Sequence, residues 1–189
     1  DEVGNLIEDK QEQLTITWTP TGKIKQITNN QTGLLITFAY DPMGNRISKI
    51  VQTLGSSLDP ELTSYTRDAQ SNTLGLYKGT VAPGDGVGTF RWAEQHLYGS
   101  SRLGMAMPDK DMINPPSYTP ATPFLTGMRQ YELTNHLGNV LATVKDEKKL
   151  IPNTAGTTIA YYEPIILNAT DYYPFGMPMP NRTYSLSSS

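Results

Sequence analysis

A complete β-hairpin signal stands at residues 40–50, which read Tyr40-Asp41-Pro42-Met43-Gly44-Asn45-Arg46-Ile47-Ser48-Lys49-Ile50. Asp41 can accept hydrogen bonds from the backbone of the turn that follows it, and Pro42 fixes φ at the first corner. Gly44 supplies the left-handed residue that a tight turn with a bulge needs. After the turn, polar residues alternate roughly with Ile47 and Ile50, which is typical of a half-buried strand.

The same turn recurs along the chain. The turn glycines Gly4, Gly22 and Gly44 are spaced by roughly 20 residues, a period typical of repeat proteins. One hairpin cannot bury a face by itself, so neighbouring hairpins must pair edge to edge. We therefore predict an all-β fold, in which repeated antiparallel β-hairpins form a curved ribbon sheet. The residues that we assign to structural repeat turns are Tyr40, Asp41, Gly44, Asn45, Asp1, Gly4, Asn5, Gly22, Gly138 and Asn139.

The hairpin pattern is interrupted at several places, and these breaks predict the organisation of the chain. Hairpins are expected over residues 1–53, a loop over 54–64 and a second hairpin region over 65–184. Within that region, residues 107–124 are rich in proline and are expected to form a loop. A disordered tail is expected at 185–189. No segment shows an apolar stripe with the 3.6-residue period of a helix.

Composition restricts the classes of function. The 189 residues include 16 Gly, 14 Pro, 11 Tyr and no Cys, so disulfide and thiolate chemistry are excluded. A formal net charge of −3 is too small to indicate a nucleic-acid partner. No apolar run approaches the length of a membrane span. Because the chain starts at Asp1, inside a turn motif, we expect it to be a fragment of a longer polypeptide.

Several longer strings carry a family resemblance. The chain resembles the Rhs/YD-repeat family and, in its second half, the Rhs-repeat-associated core region in its Bacteroidota-like form. Ser71 and Asn181 stand where the family pattern has glycine. The strings that carry the resemblance are Tyr40–Arg46, Trp18–Ile24, Tyr65–Leu74, His96–Gly104, Tyr131–Leu141 and Asp171–Met177.

The resemblance implies a fold and a function. Members form a β-sheet shell that encloses a C-terminal polymorphic toxin, and many cleave themselves with aspartates in DPxG-type strings. For this chain it implies a secreted or cell-surface toxin carrier used in interbacterial competition, here without the cleavage region and the toxin. The implied partners are the remainder of the shell and its toxin cargo. Residues 65–184 would be the core-like region.

Candidate catalytic and metal-binding residues are few. Asp41-Pro42-Met43-Gly44 is a DPxG string, but its place between Tyr40 and Asn45 favours a turn, and an aspartyl mechanism needs two carboxylates sharing a proton. The two histidines, His96 and His136, have no cysteine and no converging carboxylates to complete a metal site. We predict no catalytic residue, no metal and no cofactor, and hence no enzyme.

Two alternatives stay open beside the structural role: an enzyme, either a self-cleaving core or a misread toxin, and a binding module. Tyrosines on a sheet pair across strands, but tyrosines that line a groove could instead stack on sugars. The chain could therefore be a surface-exposed module that binds carbohydrate or a partner protein, and unpaired strand edges could also make it self-associate. The candidate contact residues for carbohydrate or a partner are Tyr65, Tyr131, Tyr172 and Tyr173.

Overall fold

The fold is built from antiparallel β-strands. A computed structural model describes residues 1–82, 86–115 and 125–186, and these contain fourteen strands and no helix. The prediction of an all-β fold made of antiparallel hairpins is confirmed. The strands are β1 (Glu8–Asp9), β2 (Leu14–Trp18), β3 (Ile24–Asn29), β4 (Leu34–Tyr40), β5 (Arg46–Thr53), β6 (Glu61–Arg67), β7 (Thr73–Ala82), β8 (Gly86–Tyr98), β9 (Arg102–Ala106), β10 (Lys110–Asp111), β11 (Arg129–Thr134), β12 (Val140–Pro152), β13 (Ile159–Tyr172) and β14 (Pro178–Ser185).

Sheet order follows chain order. Each strand pairs with the next one, from β1 to β9 and then from β11 to β14, and the short β10 pairs with β8. β9 pairs directly with β11. Because successive strands are antiparallel neighbours, the connections alternate between the two ends of the strands. Every second turn in a unit therefore lies at the same end.

The strands belong to two compact units. The first comprises Asp1–Glu94 with Asp109–Tyr118, and the second comprises Gln95–Pro108 with Thr119–Ser189. The boundary between Glu94 and Gln95 falls inside β8 and not in the loop predicted at 54–64. The sequence offers no turn signal at that point, because β8 continues through the boundary as one strand.

Burial is slight for a chain of this length. Among the described residues, Ile16 is the only apolar side chain that counts as buried, whereas Leu58 and Phe175 are almost fully exposed. A sheet with two solvated faces leaves few positions that exclude water. The backbone ladder and local side-chain hydrogen bonds must therefore carry much of the stability.

Two predicted loops contain strand. Residues 61–64, which were expected in the loop at 54–64, belong to β6 and pair with Ser48–Val51 of β5. Their alternation of Leu62 with polar neighbours suits an added strand. Within the predicted proline-rich loop at 107–124, Lys110 and Asp111 form β10 opposite Trp92 and Arg91. Residues 116–124 of that loop lie outside the described residues.

The start of the predicted tail is ordered by pairing with β13. Ser185 is the last residue of β14 and lies opposite Asn168. The Leu186 N–H then donates to the Leu167 carbonyl at 2.8 Å. Ladder bonds therefore extend into the segment predicted as a disordered tail at 185–189, of which residues 187–189 lie outside the described residues.

Candidate functional site

One five-residue turn recurs at the ends of the hairpins. The N–H of its first residue donates to the carbonyl of the fifth, and the N–H of the fourth donates to the carbonyl of the first. In the turn at 41–45 both bonds measure 2.9 Å. The fourth residue has positive φ throughout, as at Gly44, where φ is 83°. Described copies lie at residues 1–5, 19–23, 41–45, 68–72, 135–139 and 173–177.

In the copies that begin with Asp, Asn or Thr, the first residue also accepts a hydrogen bond through its side chain. Asp41 Oδ1 accepts the Asn45 backbone N–H at 2.8 Å, and Asp41 Oδ2 accepts the Asn45 side-chain amide at 3.0 Å. Asp68 and Asn72 make the same two bonds. In each turn the asparagine side chain, as the strongest cause, lowers the pKa of the aspartate.

The other predicted repeat-turn residues occupy equivalent positions. Asp1 accepts both the backbone and the side-chain N–H of Asn5. In the turn at 135–139, Asn135 takes the place of aspartate and accepts the Asn139 N–H at 3.0 Å. Gly4, Gly22 and Gly138 are the positive-φ fourth residues of their turns; all three belong to the sites predicted from sequence.

The residue before the turn connects one hairpin to the previous one. Tyr40 donates its hydroxyl hydrogen to the Ile24 carbonyl at 2.8 Å. Trp18 Nε1 donates to the Leu6 carbonyl at 2.9 Å. Arg67 Nε donates to the carbonyl of Arg46 at 3.3 Å. In all three cases the acceptor immediately follows the preceding five-residue turn, and we call this contact the cross-hairpin bond.

The cross-hairpin bond compensates for a short ladder. β3 pairs with β4 only from Gln26 onward, so the register leaves Ile24 beyond the last ladder pair. β5 likewise pairs with β6 only from Ser48, and Arg46 lies beyond that point. A carbonyl without a ladder partner is stabilised by a side-chain donor. The Tyr of the Tyr-Asp motif therefore joins hairpins, and the Asp closes the turn.

A groove lies over these bonds in the first unit. It has a volume of about 550 Å³, within the range of small-molecule sites. Aromatic rings and cationic side chains contribute to the same wall, and Arg67 lies over the Tyr65 ring with its guanidinium carbon 5.9 Å from the centroid. The lining residues are Trp18, Gly22, Lys23, Ile24, Tyr40, Gly44, Asn45, Arg46, Tyr65 and Arg67.

Of the four candidate contact tyrosines, only Tyr65 lines this groove. Tyr131 lies in β11, half-buried, opposite Val144 and Gly104. Tyr172 ends β13, and the exposed Tyr173 begins the turn at 173–177. The sequence analysis did not predict that Trp18, Tyr40 and Tyr65 lie together. Trp18 and Tyr40 each immediately precede a turn, and this shared position could have indicated that they are neighbours.

The residues considered for catalysis or metal binding, Asp41, His96 and His136, lie in turns or in a strand. Asn45 donates hydrogen bonds to both Asp41 oxygens and lowers the pKa of that carboxyl group, which is the opposite of what a carboxyl group that shares a proton needs. His96 is buried in β8 opposite Met105, and His136 is exposed in the turn at 135–139. Within the described ranges, no three His, Asp or Glu side chains converge as metal ligands would.

Comparison with known proteins does not identify a family for this chain. No protein-family model matches the sequence, and no curated protein is similar to it. The resemblance to Rhs/YD-repeat proteins therefore rests on the motifs themselves. No helix in the described part of the chain is long and apolar enough to cross a membrane.

Proposed function

We propose that this chain is a structural segment of an Rhs/YD-repeat shell that encloses and carries a C-terminal toxin in competition between bacteria. The segment has no catalytic activity and no cofactor of its own. Its partners are the remainder of the shell and the cargo, and self-association can occur through strand edges. The parent protein is secreted or displayed at the bacterial surface.

The cross-hairpin bond is the observation that supports this proposal most directly. A single hairpin is marginal in water, and only lateral addition of hairpins makes a stable sheet. The Tyr-Asp motif serves that addition, because Tyr40 bonds to the previous hairpin while Asp41 closes its own turn. A chain whose recurrent motif joins hairpins is suited to forming the continuous sheet of a shell.

Limited proteolysis of the longer polypeptide tests the proposal. The gene region around this sequence should encode further Tyr-Asp hairpins upstream and a variable domain downstream. When the whole polypeptide is expressed, the downstream domain should resist protease far longer than the same domain expressed alone. Equal digestion rates, or flanking sequence without hairpin repeats, would refute the shell.

Incubation without protease separates the shell from an enzyme. The polypeptide should keep every bond within residues 1–189 intact, because Asn45 and Asn72 hold the carboxyl groups of Asp41 and Asp68 through hydrogen bonds that lower the pKa of both. A discrete fragment that disappears on Asp41→Asn substitution would show that the DPxG string is catalytic.

The groove supports a second candidate, a module that binds surface carbohydrate. Aromatic rings from Trp18, Tyr40 and Tyr65 stand beside the cations of Lys23 and Arg46. Flat aromatic faces with a few polar groups are typical of sites for small polar ligands. Cations among the rings favour a sugar that carries a carboxylate or sulfate.

A glycan array distinguishes this second candidate. Tyr65→Ala should abolish binding to acidic glycans, whereas Tyr172→Ala, which removes a ring outside the groove, should leave it unchanged. Binding that survives Tyr65→Ala, or no binding by the wild-type chain, would exclude the carbohydrate function and leave the shell proposal untouched.

A further inference from the structure

Two neighbouring turns of the second unit project from the same end of their hairpins. The turn at 135–139 joins β11 to β12, and the turn at 173–177 joins β13 to β14. Because β12 pairs with β13, the two turns lie side by side. A Cβ atom added at Gly176 would lie only 3.1 Å from the Asn139 Oδ1 atom, so the turns are in contact. They form one surface, which we call the paired tips.

The paired tips carry large apolar side chains in solvent. Phe175 is 99% exposed, and Leu137 and Met177 are each 59% exposed. Phe175 and Leu137 hold the third, central position of their turns, so they protrude beyond the ends of the strands. Exposed apolar side chains that are grouped in this way mark an interaction surface.

The paired tips and the strand ends beside them carry no formal charge. Residues 133–144 and 172–181 contain no Asp, Glu, Lys or Arg. The carboxylates that flank these stretches are paired, Glu132 with Arg102 and Asp171 with an arginine of β14. Moving an unpaired charge out of water is the largest cost of entering an apolar medium. This surface does not have to pay that cost.

Much of the backbone of the paired tips is hydrogen-bonded within the turns themselves. The N–H groups of Leu137 and Asn139 donate to Asn135 Oδ1 at 2.9 and 3.0 Å. In the other turn the Gly176 N–H donates to the Tyr173 carbonyl at 2.9 Å. Backbone groups that already have a partner in the protein lose less when water is replaced by an apolar medium.

We propose that the paired tips insert into the interfacial region of a lipid bilayer with zwitterionic headgroups, so that Phe175 and Leu137 reach the acyl chains. Apolar surfaces that bind in this way lie about 5–10 Å deep, at the boundary between headgroups and acyl chains. Tyr173 and His136 have rings with a polar part, which suits the level of the headgroups. The proposal depends only on these two turns and stands whether or not the chain belongs to a cargo-carrying shell.

The chemistry of the paired tips favours lipid over a protein partner. Protein interfaces bury apolar anchors in matching pockets and surround them with a polar rim. Here the apolar side chains protrude from two tips, and the adjoining sequence adds no charged rim. Fluid acyl chains can enclose such side chains without a complementary pocket. Because the tips have no lysine or arginine and the chain has a net charge of −3, anionic lipid is not required.

Sedimentation with phosphatidylcholine vesicles tests the proposal. The wild-type chain should sediment with the vesicles, and added salt should not weaken binding, because salt screens only charges. Phe175→Ala should weaken binding roughly tenfold, since it removes the most exposed apolar side chain. Met43→Ala is the matched control, because Met43 is 79% exposed at the third position of a first-unit turn that begins with Asp41. This control should bind as the wild type does.

Tryptophan at the same two positions measures insertion directly. Phe175→Trp and Met43→Trp each add one indole to the same background, because Trp18 and Trp92 both lie in the first unit. Lipids with brominated acyl chains should quench the added fluorescence of Phe175→Trp and leave that of Met43→Trp unchanged. A wild type that does not bind vesicles would overturn the proposal and leave the paired tips to a protein partner. Equal effects at the two positions, or binding without quenching, would indicate unspecific adsorption and overturn it as well.

Discussion

The turns at 41–45 and 68–72 share one hydrogen-bond pattern but differ at the residue that needs a left-handed backbone. Gly44 has φ of 83°, whereas Ser71 reaches φ of 70° with a side chain present. In both turns the aspartate bonds the asparagine four residues later at nearly equal distances. The Asp–Asn pair therefore accompanies this turn whether or not glycine holds its fourth position.

A second difference explains how Ser71 is accommodated. The left-handed conformation costs a residue with a Cβ about 1–2 kcal/mol. Arg67, which precedes this turn, donates from Nη1 to the Ser71 carbonyl at 2.8 Å and to Thr73 Oγ1 at 2.9 Å. Tyr40 precedes the other turn and bonds instead to Ile24. The turn with the strained residue thus has the additional hydrogen-bond donor.

The largest effect is expected when the glycine is lost. Gly44→Ala should lower the free energy of unfolding by about 1–2 kcal/mol, because alanine pays the left-handed cost that glycine avoids. The Lys23 Cε atom, 3.1 Å from the new Cβ, can move aside. Ser71→Ala should change stability by less than about 0.5 kcal/mol, since serine already carries a Cβ. Urea unfolding of the two variants measures both; equal losses would contradict the comparison.

The next effect concerns the residue before each turn. Tyr40→Phe should cost about 0.5–1.5 kcal/mol, because it leaves the Ile24 carbonyl without its donor while keeping the ring. Tyr65→Phe is the control, since the Tyr65 hydroxyl makes no hydrogen bond within the described residues. Thermal unfolding should separate the two variants. Equal melting temperatures would show that the cross-hairpin bond adds nothing.

A gain of stability is expected when Ser71 becomes glycine. Ser71→Gly relieves about 1–2 kcal/mol of left-handed strain but loses about 0.4–1 kcal/mol through the freer unfolded chain. The net gain should be about 0.5–1 kcal/mol, measured by urea unfolding. Gly44→Ser makes the reverse change at 41–45 and should destabilise. Destabilisation by Ser71→Gly would mean that the Ser71 side chain stabilises this turn.

The turns were predictable from the sequence because they are local. The spacing of Asp41, Gly44 and Asn45 within five residues dictates the bonds that close the turn, so their positions follow without any long-range information. Tyrosine before the turn was predicted as a turn residue, but its partner was not. That acceptor, Ile24, lies in an earlier hairpin and depends on where the ladder between β3 and β4 stops.

The remaining differences have the same cause. Glu61 lies in a strand because it pairs with β5, and Lys110 lies in a strand because it pairs with Trp92 of β8. Close contacts between backbones could not be predicted either. A Cβ atom at Gly79, for example, would lie 2.0 Å from the Thr89 carbonyl oxygen of β8. The groove beside Tyr65 could not be predicted, because it depends on the register of several strands.

The smallest expected effect is on stability at acidic pH. It again compares turns, here by whether their first residue is aspartate or asparagine. Asp41 and Asp68 have a lowered pKa, primarily because Asn45 and Asn72 donate side-chain hydrogen bonds to the ionised form. A carboxyl whose pKa is lower when folded stabilises the fold above its unfolded pKa, about 3.9, and that contribution is lost as the pH falls through the folded value. Asn135 shows that a neutral amide can hold the first position.

The double variant Asp41→Asn with Asp68→Asn should therefore lose less stability in acid than the wild type. The difference in free energy of unfolding between the two should be constant from pH 5 to 8 and should shift in favour of the variant below about pH 4. Asn135→Asp should do the opposite and add acid sensitivity to a turn that lacks it. Parallel pH profiles for all three proteins would mean that the Asp–Asn bonds do not favour the ionised carboxylate.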